Sequence, residues 1–285
     1  MKIKAMLVMG LVAGLLSVGA TAFAASSVSG DVVDYDFRSG QAVVKGNVQI
    51  THDKGTASCR EAEYNTKTGE GKLTGNVVAD QEDAHLTCST LVIKKKGNYL
   101  SAIGDAVLKK ADKTLRAAQV NYDSDAQYAE TIGDWAQMTM DDGSSLDAAE
   151  MKYNMASGVA NAEGNVRLIS PPRNLTARSD RAIYNTNEEE GTIYLIGNAT
   201  ATQDGNTVSG DQLVVRGAGG KVAAADGNVK MIIVPQQQNN DENSETLICD
   251  VVGDENIPEE VYKFYNWPGE PAEVGVTQLE EVQMA

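Results

Sequence analysis

An all-β fold is what this sequence predicts: an antiparallel meander folded over on itself, built from seven two-strand repeats of about 29 residues. Three observations predict it. A Gly-Asn or Gly-Asp pair recurs at Gly46, Gly75, Gly104, Gly133, Gly164, Gly197 and Gly227, with spacings of 29, 29, 29, 29, 33 and 30. Around each glycine, apolar residues alternate with period two. Between these stretches lie clusters of turn-forming residues.

The first 24 residues read as an export signal. Lys2 and Lys4 form a positive start, Ala5 to Val18 is a short apolar run, and Ala22-Phe23-Ala24 is a small-x-small cleavage pattern. No later run is apolar enough over the roughly 18 residues a membrane helix needs. The expected destination is outside the cytoplasm.

Residues 25–234 carry the repeats. Ala42, Val44, Gly46, Val48 and Ile50 alternate with Val43, Lys45, Asn47 and Gln49. The same phase recurs in Leu100, Ala102, Gly104, Ala106 and Leu108, and in Ala160, Ala162, Gly164, Val166 and Leu168. Such alternation marks a half-buried strand. Because the apolar phase runs on across the glycine, the pair is not a hairpin turn but a bend or close backbone approach inside a strand. The turns fall elsewhere. Asp36 to Gly40, Asn65 to Gly69 and Asn154 to Gly158 each begin with Asx and end with Gly. Eleven residues before the glycine sits a marker: Tyr35, Tyr64, Ile93, Tyr122 and Tyr153. In the sixth repeat Tyr184 leads by 13, which places the extra residues in a loop around Glu188-Glu189-Glu190. Roughly 14 strands at ~4.8 Å give a stack about 65 Å long. A sheet of that length with one apolar face must fold over to bury it.

Residues 235–285 form an acidic tail, expected to be largely disordered. It opens with Pro235-Gln236-Gln237-Gln238-Asn239-Asn240 and holds twelve acidic residues against Lys263. Of the net charge of −16, the tail carries −11, the repeat region −7 and the first 24 residues +2. So acidic a chain is a poor nucleic-acid partner. Three cysteines make no disulfide framework, and two histidines without zinc-ligand spacing make no metal site. Neither a catalytic motif nor a cofactor fingerprint is present, and the chain reads as a non-enzyme. Cys59 and Cys88 occupy equivalent slots in successive units, where Ala117 and Ala148 follow. In an antiparallel meander they stand two strands apart, about 9.6 Å, beyond the ~7 Å a disulfide spans.

The pattern of Tyr-Asx, then Gly, then Gly-Asn-Val followed by an alternating strand resembles the LptA/OstA-like family of lipopolysaccharide-transport proteins. The resemblance covers about 205 residues, from Gly30 to Val234. It implies an elongated β-jellyroll in the periplasm whose interior groove shields the acyl chains of lipid A. It also implies contact with inner-membrane anchored and outer-membrane transport components of the same fold, and head-to-tail homo-oligomers. The acidic tail departs from that pattern. Inward positions flanking the glycines are then the groove candidates: Val44, Val48, Ile50, Leu73, Val77, Leu100, Leu108, Leu168 and Leu195. Taken singly, each reads equally well as ordinary core. Lys94, Lys95 and Lys96, in the one basic stretch of the chain, are candidates for lipid A phosphates or simply a solvated loop. The alternative reading is a structural or adhesive envelope protein with a filled core and no lipid.

Overall fold

Each recurring Gly-Asx pair stands at a break in strand pairing. The computed structural model describes residues 27–52, 55–81, 83–185, 192–216 and 221–233. All fall within one compact unit, residues 1–251, while a second unit, 252–285, lies outside the described residues. So do the expected export signal, the acidic tail and the loop around Glu188. Among the described residues, seventeen strands form a single antiparallel sheet. The first nine are β1 (Ser27–Ser29), β2 (Val32–Asp36), β3 (Gln41–His52), β4 (Gly55–Asn65), β5 (Glu70–Gln81), β6 (Ala84–Lys94), β7 (Tyr99–Lys110), β8 (Lys113–Asp123) and β9 (Tyr128–Met140). The others are β10 (Ser145–Ala148), β11 (Glu150–Asn154), β12 (Val159–Ser170), β13 (Leu175–Asn185), β14 (Ile193–Gln203), β15 (Asn206–Arg216), β16 (Lys221–Asp226) and β17 (Lys230–Ile232). Strands pair with their sequence neighbours, as a meander requires. Three lines are interrupted: β1 and β2 both pair with β3, β10 and β11 both pair with β9 and β12, and β16 and β17 both pair with β15.

In β3, Lys45 faces Glu61 and Val48 faces Cys59, so Gly46 and Asn47 oppose Arg60 alone. This is a β-bulge, which bends the strand. Both residues are left-handed, with φ of 72° and 47°. Two successive left-handed residues are tolerated by glycine and then by Asn or Asp, and by little else. That is why the pair recurs as Gly-Asn or Gly-Asp. Gly75-Asn76, Gly104-Asp105, Gly164-Asn165, Gly197-Asn198 and Gly227-Asn228 repeat the conformation. Gly133 departs from it at φ 137°, and there Gly133, Asp134 and Trp135 together oppose Ala118.

The bend divides each long strand into two halves whose inner faces meet. Val44 and Val48, Leu73 and Val77, and Leu100 and Leu108 come from opposite halves of β3, β5 and β7, yet belong to one buried cluster. This is the folded-over sheet of a β-jellyroll. The turns follow the Asx chemistry read from the sequence. Arg38 N donates to Asp36 Oδ1 at 2.8 Å, Lys67 N to Asn65 Oδ1 at 2.9 Å, and Ser157 N to Asn154 Oδ1 at 2.9 Å. Turns along one edge also bond each other: Thr66 N to Gly40 O at 2.9 Å, Ser124 N to Asn98 O at 2.8 Å.

Candidate functional site

The inner face is not filled evenly. Through β8–β15 large side chains close it: Met138, Met151, Leu175, Leu195 and Leu213 are all fully buried. Among the N-terminal strands a cavity of about 400 Å³ remains. Ala42, Ala57, Ala62 and Ala79 contribute small walls, with Leu73, Leu86, Leu91 and Leu100 as the larger ones. The lining mixes both halves of the bent strands, so the cavity lies between the two leaves of the sheet.

Of the nine groove candidates, Val44, Ile50, Leu73 and Leu100 line this cavity. Val48, Val77, Leu108, Leu168 and Leu195 are buried in the core cluster instead. Sequence reasoning missed Leu86 and Leu91. Both lie in β6, the return strand of a repeat without a glycine marker, and the inward phase slips by one residue between Cys88 and Leu91, opposite the bulges of the neighbouring strands.

The mouth is framed by the first two strands. Val28, Val33 and Tyr35 line the cavity, while Val32 and Phe37 are exposed beside them, Phe37 at 87%. The Tyr35 ring meets Phe37 edge-on at 4.8 Å, and its hydroxyl is 3.2 Å from Thr66 Oγ1. Polar groups sit at the rim, including Thr56, Asp80 and Gln81. The result is a low-dielectric space able to take apolar chain, with polar groups only where it meets water.

The three candidate lysines occupy a short 3-10 turn and its approach, Lys94 before and Lys95–Gly97 within, and Gly97 lines the cavity. They are not equivalent. Lys95 Nζ is 2.6 Å from Asp123 Oδ2 and 5.9 Å from the Tyr99 ring centroid. The hydrogen bond to Asp123 raises the Lys95 ammonium above its ordinary range. Burial pushes the Asp123 carboxyl up, but hydrogen bonds from Lys95 and the Ala126 amide outweigh it and leave it below the usual carboxylate range. Lys94 and Lys96 are exposed. Lys67, whose ammonium donates to the Arg38 carbonyl, stands on the preceding turn of the same edge. Arg38, Lys67 and Lys96 are spaced 29 apart, a signal the sequence held but which the contiguous lysine run overshadowed.

His85 is exposed, and its Nδ1 is 2.6 Å from Asp80 Oδ1 across β5 and β6. Cys59 and Cys88 are buried free thiols, and desolvation pushes the Cys88 thiol up to about 11. Among the described residues no group of three or more His, Cys, Asp or Glu could hold a metal, and no helix is long and apolar enough to cross a membrane.

Comparison with known proteins gives one family, described as LptA/(LptD N-terminal domain) LPS transport protein, matching residues 56–221. That is 166 of the 285 residues. Among solved structures, a match is LptH from Pseudomonas aeruginosa, the LptA homologous periplasmic component of its lipopolysaccharide transport device. It is 13% identical, covers 74% of this chain and 96% of its own, and superposes with a TM-score of 0.16. No curated protein matches the chain.

Proposed function

Because the chain belongs to the LptA/(LptD N-terminal domain) family of LPS transport proteins, we propose that it carries lipopolysaccharide through the periplasm with lipid A acyl chains held between the leaves of its sheet. The observation that carries this reading is the apolar cavity of about 400 Å³ among the N-terminal strands, lined at its edge by the exposed Val28, Val33 and Tyr35. Burial of apolar surface contributes roughly 25 cal/mol per Å², so acyl chains can supply the affinity without help from the headgroup. That suits a chain whose repeat region is itself mildly acidic. In this reading Val44, Ile50, Leu73 and Leu100 contact lipid directly. Val48, Val77, Leu108, Leu168 and Leu195 hold the leaves together.

The cavity volume is in the range of a small-ligand pocket, so several acyl chains need more room. The two leaves are halves of the same strands, and each leaf keeps its own ladder of hydrogen bonds. Spreading them about the bulges therefore breaks apolar contacts rather than backbone pairing. Lys94 and Lys96, with Lys67 and Arg38 on neighbouring turns, are placed to meet lipid A phosphates at the rim, while Lys95 anchors the turn through Asp123. The exposed edges at β1–β2 and at β16–β17 suit strand addition to transport components of the same fold at the two membranes, or to another copy head to tail. The export signal ends at Ala24, and the transport body is residues 25–234.

A structural envelope protein is the second reading, favoured by the filled interior from β8 to β15. Native mass spectrometry of the chain from Ala25, alone and with added lipopolysaccharide, separates the two. A glycolipid adduct is expected. A chain that purifies without glycolipid and binds none of the added lipopolysaccharide is a structural protein, not a carrier.

A further inference from the structure

The apolar cavity has a definite capacity before the leaves move at all. A dry cavity of about 150 Å³ takes a six-carbon benzene ring. On that scale the cavity of about 400 Å³ among β1–β7 takes a chain of about sixteen carbons. That is one acyl chain, and not several. The walls suit a flexible hydrocarbon, since Ala42, Ala57, Ala62 and Ala79 leave the room and Leu73 and Leu91 border it.

The rim is charged differently along its two lines of turns. Thr66 and Gly97 border the cavity at one line. Lys67 and Lys96 stand next to them in sequence, and both are exposed. The turns that carry them touch. An added Cβ at Gly69 would lie 2.9 Å from Lys96 Cα, and one at Gly40 would lie 2.9 Å from Lys67 Cγ. Arg38, Lys67 and Lys96 therefore belong to one continuous basic lip, while Lys95 is committed to Asp123. At the other line of turns the bordering groups are Thr56, Gln81 and Asp80, whose carboxylate repels an anion. A ligand with one apolar chain and one anionic end is met on both counts. Its chain lies among alanines and leucines, and its head takes charge-assisted hydrogen bonds from the basic lip. A chain with polar groups along its length would leave them unpaired in the same space.

We propose that the closed interior is a binding site for one single-chain anionic lipid, a free fatty acid or a lysophospholipid, with its head at the lip of Arg38, Lys67 and Lys96. The proposal rests on the reading of this cavity as an acyl-chain site, and adds a ligand that enters without spreading the leaves. A fixed capacity also fixes a length. Each methylene buried in the cavity strengthens binding roughly fourfold, and the gain stops once the chain outgrows the space.

The test is calorimetric titration of the full chain from Ala25 with decanoate, tetradecanoate, hexadecanoate and eicosanoate, each below its micelle concentration. One ligand per chain is expected, with affinity rising at least about a hundredfold from decanoate to hexadecanoate and no further gain at eicosanoate. Hexadecanoyl lysophosphatidylglycerol, titrated alongside, shares the chain, so the tighter binder of the two identifies the head. Leu91→Trp and Ala57→Leu both fill the cavity and should each weaken hexadecanoate at least about tenfold. They lie on different strands, so a variant that fails to fold leaves the other to decide. Lys67→Glu with Lys96→Glu, on exposed turns, should weaken hexadecanoate about tenfold and leave neutral decanol unchanged. Affinity that keeps rising to eicosanoate, or that neither cavity-filling variant alters, overturns the proposal. So does a chain that binds none of the single-chain ligands; if the same preparation still binds lipopolysaccharide, the carrier reading stands without it. Hexadecanoate binding by a chain that takes up no lipopolysaccharide supports the proposal and refutes the carrier reading.

Discussion

At Gly104 a side chain would meet two obstacles. The backbone is at φ 83°, and an added Cβ would lie 2.7 Å from the Cβ of Ser89. Gly104→Ala is therefore expected to lower stability by about 1–3 kcal/mol in denaturant unfolding. Adding Ser89→Gly should recover the part due to the contact and leave the part due to φ. The residue opposite each bulge glycine forms a series of its own: Asp31, Arg60, Ser89, Ala118, Ala149, Asp180 and Asp211. Where it is Asp, it accepts from the bulge asparagine, as Asn47, Asn198 and Asn228 show. The glycines were legible in the sequence because a left-handed pair admits few residues. Their partners were not, because a residue that only has to stand opposite a bulge is free to vary. The Lys95–Asp123 pair makes a second residue-scale prediction. The Asp123 carboxyl is depressed in the folded chain, so its contribution is present above the unfolded value near 4 and is lost as pH falls through the folded value. The Lys95 ammonium is raised, so its contribution is present below about 10.4 and is lost above that. Asp123→Asn should accordingly destabilise the chain between these limits, and the difference from the parent should vanish in acid. A difference that persists unchanged at pH 2 would assign the effect to packing.

The elements divide into a filled region and an open one. Met151, fully buried on β11, packs within the closed interior, whereas Leu91 on β6 borders the cavity. Met151→Ala should cost about 2–5 kcal/mol, because neighbours on all sides lose contacts. Leu91→Ala should cost distinctly less, since its side chain already faces a void on one side. Equal losses in parallel urea titrations would mean that both ends of the interior are packed alike. Strand positions and their inward phase were readable because period two survives across the two-residue bulges, though not across the three-residue one at Gly133. The taper of the interior was not, since it depends on which inward side chains from opposite leaves come to face each other. Val48 and Val44 have the same residue type and the same phase, yet only Val44 lines the cavity. The interruption of the line between β10 and β11 was hidden for a related reason. Ala149, which separates them, gives no turn signal and lies opposite the bulge at Gly164, to whose carbonyl its amide donates at 2.9 Å.

On the scale of the whole chain, the bent meander converts an alternating sequence into two leaves around one apolar interior. The family that matches residues 56–221 is one of lipopolysaccharide transport, and the cavity draws part of its wall from earlier residues, Val28 to Gly55. Buried thiols offer a check on this closed interior. With Cys88 pushed up to about 11 and Cys59 also raised by burial, neither should react with a thiol reagent at pH 8 until the chain unfolds, and both should then react. Native reactivity at either site would place it at a solvent-open seam. The central claim is that acyl chains enter the N-terminal part of the interior. Its most direct test is site-specific photo-crosslinking in the presence of lipopolysaccharide, with a photoreactive phenylalanine analogue in place of Leu91 in the cavity, Lys72 on the outer face of the adjacent strand, and Met151 in the filled interior. The account predicts a lipopolysaccharide adduct at position 91 and none at 72 or 151. No adduct at 91, or adducts of equal yield at all three positions, would contradict it.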